Sequence, residues 1–171
     1  MALLRGVRYR GRLKPGRVTG ARVSRIGLVA AVSVGFGSGC SEPDPERIPD
    51  ATLQHELGLT EDDQVYTVTI TGGEVEVAEP ATDSVPEGSY LQFVTTDWLI
   101  HEVAFDVEQL HAEARAFLER TDQLASPPLL SRDSRFVVSF EGAPPGRYPY
   151  VLAGNGGPGR GLIVVTASEV R

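Results

Sequence analysis

The stretch that decides the fold is Val85-Pro-Glu-Gly-Ser-Tyr-Leu-Gln-Phe-Val-Thr-Thr-Asp97. Its first four residues include a proline and a glycine, which is a turn signal, and residues 90–94 follow with the composition of a strand. Side chains of a strand alternate between its two faces, so Leu91 and Phe93 lie on the same face. The stretch therefore predicts a turn followed by a half-buried strand.

Further strand patterns lie on both sides of this stretch. Before it, residues 65–70 alternate and are rich in β-branched side chains, Gly72-Gly73 predicts a turn, and residues 75–77 continue the alternation. After it, strand patterns occur over residues 101–105, 135–140, 148–152 and 162–166. Short strands at this spacing, with turn residues between them, are typical of an all-β sandwich or barrel.

One segment departs from this pattern and predicts a single inserted α-helix over residues 106–122. Asp106 can cap its first turn, and Gln109 follows three residues later, as in a capping box. Apolar side chains then recur at helical spacing, at Val107, Leu110, Ala114, Phe117 and Leu118. We expect this helix to pack on the sandwich with its charged face in water.

The first 40 residues differ from the rest in charge and predict a targeting segment. They hold eight of the 16 basic residues and no acid, and the apolar run 26–36 suits a signal peptide but is too short to span a bilayer. Small residues precede Cys40, which resembles the lipobox of bacterial lipoproteins, although Gly37 stands where that pattern usually has leucine. We predict an export signal over residues 1–40 with lipid attachment at Cys40; an ordinary cleaved signal peptide is the alternative.

The rest of the chain, residues 41–171, is strongly acidic. It carries the other eight basic residues and all 23 acids, a net charge of −15, and such a charge repels nucleic-acid phosphates. Residues 41–52 contain three prolines and several acids, which predicts an extended tether before a domain at 53–171. The prediction is a protein exported to the periplasm or cell surface and anchored to the membrane, with no nucleic-acid partner.

Three stretches together resemble the cupredoxins, the superfamily of plastocyanin and azurin. They are residues 85–97, residues 101–106, and residues 145–151 followed by 161–165. The resemblance implies a cupredoxin-like Greek-key β-sandwich or barrel over about residues 65–166. It also implies that His101 stands where the family has its first copper-binding histidine, and that the loop after Tyr148 and Tyr150 holds the positions of the other ligands.

The ligand loop departs from the family pattern. Leu152 stands at the cysteine position, Asn155 at the histidine position and Arg160 near the methionine position. A type 1 copper site uses two histidines, a thiolate and a weak axial ligand, and a permanent positive charge beside the metal is unfavourable. Cys40 and Met1 are the only sulfur-containing residues of the chain. The resemblance thus implies a degenerate site with His101 as a relic ligand, and we expect no cofactor.

The main functional hypothesis is a non-enzymatic module that binds a protein or a small ligand at the loop end of the domain. Its predicted partner surface consists of Trp98, His101, Asn155 and Arg160. The alternative is a copper-binding electron carrier or copper-handling protein with a non-standard site, formed by His101 with His111 or His55. A third hypothesis is an accessory domain of a larger membrane complex.

Other motifs carry less chemistry. Residues 155–161 are rich in glycine but lack the lysine of a phosphate-binding P-loop, so we expect a flexible loop. The acids Asp62, Asp63, Glu74 and Glu76 are expected to face water. No constellation of serine, histidine and acid stands out, so an enzyme is the least expected class.

Overall fold

The computed structural model describes residues 44–168, which form two four-stranded sheets packed as a β-sandwich. One sheet has the order β2-β1-β4-β6 and the other β3-β8-β7-β5. The strands are β1 (Val65–Thr71), β2 (Val77–Glu79), β3 (Thr82–Pro86), β4 (Tyr90–Thr95), β5 (His101–Phe105), β6 (Arg135–Ser139), β7 (Gly146–Gly154) and β8 (Gly159–Thr166).

The sandwich contains both parallel and antiparallel strand pairs, and most of its connections cross from one sheet to the other. Strand β1 pairs with β4 and β3 pairs with β8 in parallel, while the other ladders are antiparallel. Parallel neighbours need a crossover connection, and here the chain crosses between the sheets after β2 and after each strand from β3 to β6. The predicted all-β sandwich with an inserted helix is confirmed.

The core lies between the two sheets and follows the alternation predicted for β4. Leu91 and Phe93 are fully buried, and the ring of Phe93 meets the edge of Tyr150 from the opposite sheet with centroids 5.0 Å apart. Tyr148, Tyr150 and Leu152 alternate inward along β7. Burying each large apolar side chain contributes about 1.5–3 kcal/mol, so these layers account for much of the stability.

The inserted helix α2 is shorter than predicted and spans Ala112–Arg120. Residues 106–110 instead form a separate turn, in which the backbone N–H groups of Gln109 and Leu110 donate to the carbonyl of Asp106. The helix is capped by His111, whose Nδ1 accepts from the backbone N–H of Ala114 at 3.3 Å. Capping by Asp106 was therefore wrong, because that residue closes the preceding turn.

The segment before β1 contacts the sandwich from Asp44 onward. A 3₁₀ turn spans Pro45–Arg47, and helix α1 spans Ala51–Leu57. The Arg47 guanidinium lies over the ring of Tyr66, 4.2 Å from its centroid, and also donates to the Tyr66 hydroxyl. Residues 44–52 thus lie on the domain where an extended tether was predicted, because their charged side chains find partners there.

The predicted signal peptide, the lipidation site Cys40 and residues 41–43 of the tether lie outside the described residues. Within residues 44–168, no helix has the length and apolar character needed to cross a membrane.

Candidate functional site

Three connections meet at one end of the sandwich, which we call the loop end. They are residues 72–76 between β1 and β2, residues 96–100 between β4 and β5, and residues 155–158 between β7 and β8. The first and third are joined by two backbone hydrogen bonds, from the Glu76 N–H to the Gly157 carbonyl at 2.9 Å and from the Gly157 N–H to the Glu74 carbonyl at 2.8 Å. The second is joined to the first through Asp97, whose Oδ2 accepts from the Gly72 N–H at 2.7 Å.

His101, at the first position of β5, is fully buried at this end and lies between two carboxylates. Its Nδ1 is 2.7 Å from Glu76 Oε2 and its Nε2 is 2.8 Å from Asp97 Oδ1. Ionised carboxylates only accept hydrogen bonds, so this arrangement favours donation from both ring nitrogens, which is the imidazolium form of His101. We call Glu76, Asp97 and His101 the clamp.

The hydrogen bonds of the clamp govern its protonation. Burial is the largest single influence on His101 and opposes its charged form, but the hydrogen bonds to Asp97 and Glu76 together outweigh it and raise the pKa of His101 above its ordinary value. Burial also acts against the charge on Asp97, yet hydrogen bonds from His101, Gly72 and Leu99 lower the pKa of this carboxyl to about 2. Both shifts favour the charged pair of the His101 imidazolium and the Asp97 carboxylate.

The glycines of the β7–β8 connection make room for Glu76. A Cβ atom on Gly154 would overlap the Glu76 Oε1 atom, and one on Gly159 would overlap the Glu76 carbonyl. A Cβ on Gly156 would overlap the Gly73 carbonyl in the same way. These glycines therefore allow close packing of the β1–β2 and β7–β8 connections, which is a more specific role than the flexible loop predicted from the sequence.

Glu76 and Asp97 are the two site residues that sequence reasoning missed. Glu76 was expected to face water, and this was wrong, because it is only 2% exposed and pairs with His101. Its neighbours Val75 and Val77 point outward instead, so the usual rule of apolar side chains inward is reversed in this segment. For Asp97, the one available signal was its position four residues before His101, which is weak on its own.

The residues predicted at the copper-ligand positions are only partly brought together. Leu152 is fully buried on β7 opposite Val103, two positions before Gly154, which pairs with His101. Asn155 is exposed and lines a shallow cavity of about 190 Å³ with Ile100, Glu102, Ala153 and Gly154. Arg160 does not join them. It lies on the outer face of β8, where its Nη1 is 3.5 Å from Asp106 Oδ2.

The other two histidines lie elsewhere. The His111 ring packs against Tyr148 near Gly146, at the start of β7, whereas His101 pairs with Gly154 at the end of that strand. The two glycines are eight positions apart in the strand, or about 26 Å at about 3.3 Å per residue. His55 is exposed on α1, whose Leu53 packs with Val65 at the beginning of β1. A shared metal site of His101 with His111 or His55 is not formed.

The fold of this chain is similar to that of several solved copper proteins. A novel purple cupredoxin from Nitrosopumilus maritimus is 22% identical over 59% of this chain and 99% of its own, with a TM-score of 0.40. An amicyanin mutant in its reduced Cu(I) form is 18% identical over 64% of this chain and 88% of its own, with a TM-score of 0.42. The predicted resemblance to the cupredoxins is confirmed at the level of the fold.

A third similar structure is an enzyme. The Cu-containing nitrite reductase from Thermus scotoductus SA-01 is 21% identical over 64% of this chain but only 24% of its own, with a TM-score of 0.39. No protein-family model and no curated protein matches the chain. The expectation of a non-enzyme therefore stays a prediction.

The expectation of no cofactor needs correction, because the structures that this chain is similar to are copper proteins. The residues at the loop end do not, however, fit a type 1 copper ion. Both nitrogens of His101 donate to carboxylates, Leu152 has no donor atom, and residues 44–168 include neither cysteine nor methionine. Within that range, no three His, Cys, Asp or Glu side chains are arranged to hold a metal ion.

Proposed function

We propose that this chain is an exported, membrane-anchored domain of cupredoxin fold that binds a partner protein through its loop end. The observation that carries the proposal is the distribution of exposed apolar side chains. Residues 44–168 have nine large apolar side chains that are exposed, and six of them belong to the loop end or flank it: Val75, Val77, Trp98, Leu99, Ile100 and Leu130.

These six residues come from neighbouring segments. Trp98 is 75% exposed and is followed by Leu99 and Ile100 in the β4–β5 connection. Leu129 forms an isolated bridge with His101, which places Leu130 beside Ile100. Val75 forms an isolated parallel bridge with Gly157 of the β7–β8 connection. Exposed apolar side chains grouped in neighbouring segments, with a tryptophan among them, are typical of protein-binding surfaces, in which tryptophan is an enriched anchor.

The proposed surface keeps part of the one predicted from sequence. Trp98 is central to it, and Asn155 lies beside it through the shallow cavity next to Ile100. His101 is too deeply buried to touch a partner, and Arg160 is on the outer face of β8. The acidic charge of residues 41–171 favours a partner with basic groups around its own apolar patch, and it opposes docking on an anionic lipid surface.

Export and attachment through Cys40 remain part of the proposal and are tested apart from binding. Lipidation adds the mass of its acyl chains to the mature amino terminus, which intact mass spectrometry detects. We expect the purified membrane form to begin at Cys40 with this added mass. A mature chain that begins elsewhere, or that has an unmodified Cys40, would remove the anchor from the proposal and leave the binding surface unaffected.

Site-specific photocrosslinking in the source cells tests the binding surface. A photoreactive phenylalanine replaces Trp98 or Leu130 and, as matched controls, Leu57 or Val107, which are exposed apolar residues outside the loop end. We expect discrete protein adducts from positions 98 and 130 only. Adducts from neither position, or the same adducts from all four, would exclude the loop end as the docking surface.

Copper handling at His101 is the competing function, since similar solved structures are copper proteins. Titration of the purified chain with Cu(II), compared with its His101→Ala variant, separates the two functions. Stoichiometric, tight copper binding that the variant loses would favour copper handling. Binding that is weak in both proteins would favour the docking surface.

A further inference from the structure

The exposure of Trp98, Leu99 and Ile100 at the loop end needs a physical explanation. Three consecutive large apolar side chains are 75%, 36% and 47% exposed, although the buried strand β5 begins at the next residue. A short apolar segment of this kind gains free energy by folding down on the nearest core. Something in the structure must hold its backbone in the exposed conformation.

Asp97 supplies one part of that restraint. Its Oδ1 accepts from the backbone N–H of Leu99 at 2.8 Å, which closes a turn over Trp98. Its Oδ2 accepts from the backbone N–H of Gly72, so the turn is joined to the end of β1. Leu99 lies close against Gly72, where a Cβ atom would be only 2.7 Å from Leu99 Cδ1.

His101 and Glu76 supply the other part. The ring of His101, which is itself fully buried, donates to Asp97 from one nitrogen and to Glu76 from the other, so it joins the two carboxylates. Glu76 in turn is fixed by its backbone hydrogen bond to Gly157. The clamp thereby joins the three connections of the loop end. The turn at Trp98 lies in the sequence between two members of the clamp, Asp97 and His101.

We infer that Glu76, Asp97 and His101 are positioning residues that hold Trp98, Leu99 and Ile100 in a fixed, exposed conformation for docking. The inference rests on the proposed function for its purpose, but its structural content does not depend on a partner. A relic ligand alone would not need two carboxylate partners. The hydrogen bonds of Asp97 to Gly72 and Leu99 give the clamp a direct connection to the exposed turn.

Trp98 makes the inference directly measurable, because it is the only tryptophan of the chain. Its fluorescence anisotropy and its quenching by acrylamide report the mobility and exposure of this turn alone. The full chain is purified in mild detergent, with the variants D97N, E76Q and H101Q. The variant D50N is the matched control, since Asp50 also accepts two backbone N–H groups and pairs with a cation, Arg135, but on α1.

We expect the clamp variants to lower the anisotropy of Trp98 and to raise amide hydrogen exchange at residues 97–101 about tenfold or more, while exchange in β4 and β7 is unchanged. The control should leave both readouts at the wild-type level. Of the variants, D97N changes the most exposed member of the clamp, so it decides the question if H101Q fails to fold. Wild-type anisotropy and exchange in D97N and E76Q would overturn the inference.

Crosslinking from position 130 separates this inference from the proposed function. Lower adduct yield from Leu130 in D97N, together with a loosened Trp98, supports the clamp as a positioning device. Unchanged yield with a loosened Trp98 overturns its docking role and leaves the binding surface in place. Absence of adducts in the wild type overturns the proposed function, while the fluorescence measurement still decides whether the clamp fixes the turn.

Discussion

The two ends of strand β7 differ in which side chains they bury and which they expose. At Gly154, the buried neighbours are His101 and the carboxylate of Glu76, and the exposed ones include Ile100. At Gly146, the exposed His111 caps helix α2, while aromatic and aliphatic side chains of β7 and the helix are buried. The end at Gly146 follows the usual preference for buried apolar and exposed polar side chains. The end at Gly154 buries ionisable groups, which costs free energy. That contrast marks the loop end as the functional one.

The largest expected effect comes from removing the histidine of the clamp. The substitution His101→Ala leaves Glu76 and Asp97 facing each other without a cation, and breaking a buried charge pair in this way costs about 3–5 kcal/mol. Urea unfolding of the wild type and the variant gives the difference in free energy. A decrease in the free energy of unfolding below about 1 kcal/mol, typical of an exposed ion pair, would contradict a special contribution of buried charged groups at the Gly154 end of β7.

A core substitution on the same strand gives the reference for that effect. Leu152→Ala removes a fully buried side chain and is expected to lower the free energy of unfolding by about 2–5 kcal/mol. The exchange rates of residues 97–101, normalised to global stability, should not change, because Leu152 is not part of the clamp. Local loosening of the turn in this variant would mean that the core, and not the clamp, holds it.

The contributions of His101 and Asp97 to stability are expected to depend on pH. The pKa of His101 is raised in the folded chain, so its contribution is fully present below 6.5, its ordinary pKa, and is lost as the pH rises through the folded value. The pKa of Asp97 is lowered to about 2, so its contribution is present above 3.8 and is lost as the pH falls toward 2.

Urea unfolding of the wild type and His101→Ala at a series of pH values tests these signs. The stability difference between the two proteins should be largest in the mildly acidic range and should shrink on the alkaline side. A difference that grows with rising pH would contradict the charged form of His101 described for the clamp.

Substitution of Trp98 is expected to have the smallest effect on stability and the largest effect on partner binding. Trp98→Ser changes an exposed side chain, so its free energy of unfolding should stay within about 0.5 kcal/mol of the wild type. With the photoreactive group at position 130, the same variant should lose most of its adducts. Marked destabilisation by Trp98→Ser would assign this tryptophan to packing, and an unchanged adduct yield would remove it from the surface.

Sequence alone predicted the sandwich and most of its strands because the strand signals are local, but it missed β3, whose last residues, Val85 and Pro86, were assigned to a turn. The alternation around Leu91 and Phe93 depends on neighbouring residues, and so does the spacing that indicates α2. The bounds of α2 were less predictable, because Asp106 and His111 both suit a cap and the turn at 106–110 decides between them.

The candidate site was predictable only in part, since its partners are distant in the chain. His101 and Trp98 were identified from the stretch around β4 and β5. Glu76 was not, because it is 25 residues from His101 and a carboxylate between two valines ordinarily faces water. Only the packing of the β1–β2 connection against the glycines at 154–159 shows that this carboxylate is inside.

The overlap between a Cβ at position 154 and the Glu76 carboxylate limits which substitutions this end of the protein can accept. Any residue larger than glycine at 154 would displace the Glu76 carboxylate from His101 and would also lie against the Ile100 carbonyl, 2.8 Å from its Cβ. The two positions are therefore epistatic, and their substitutions will not be additive. A single substitution at 154 thus disturbs two segments at once, so glycine is the residue that the close packing of these two loops tolerates there.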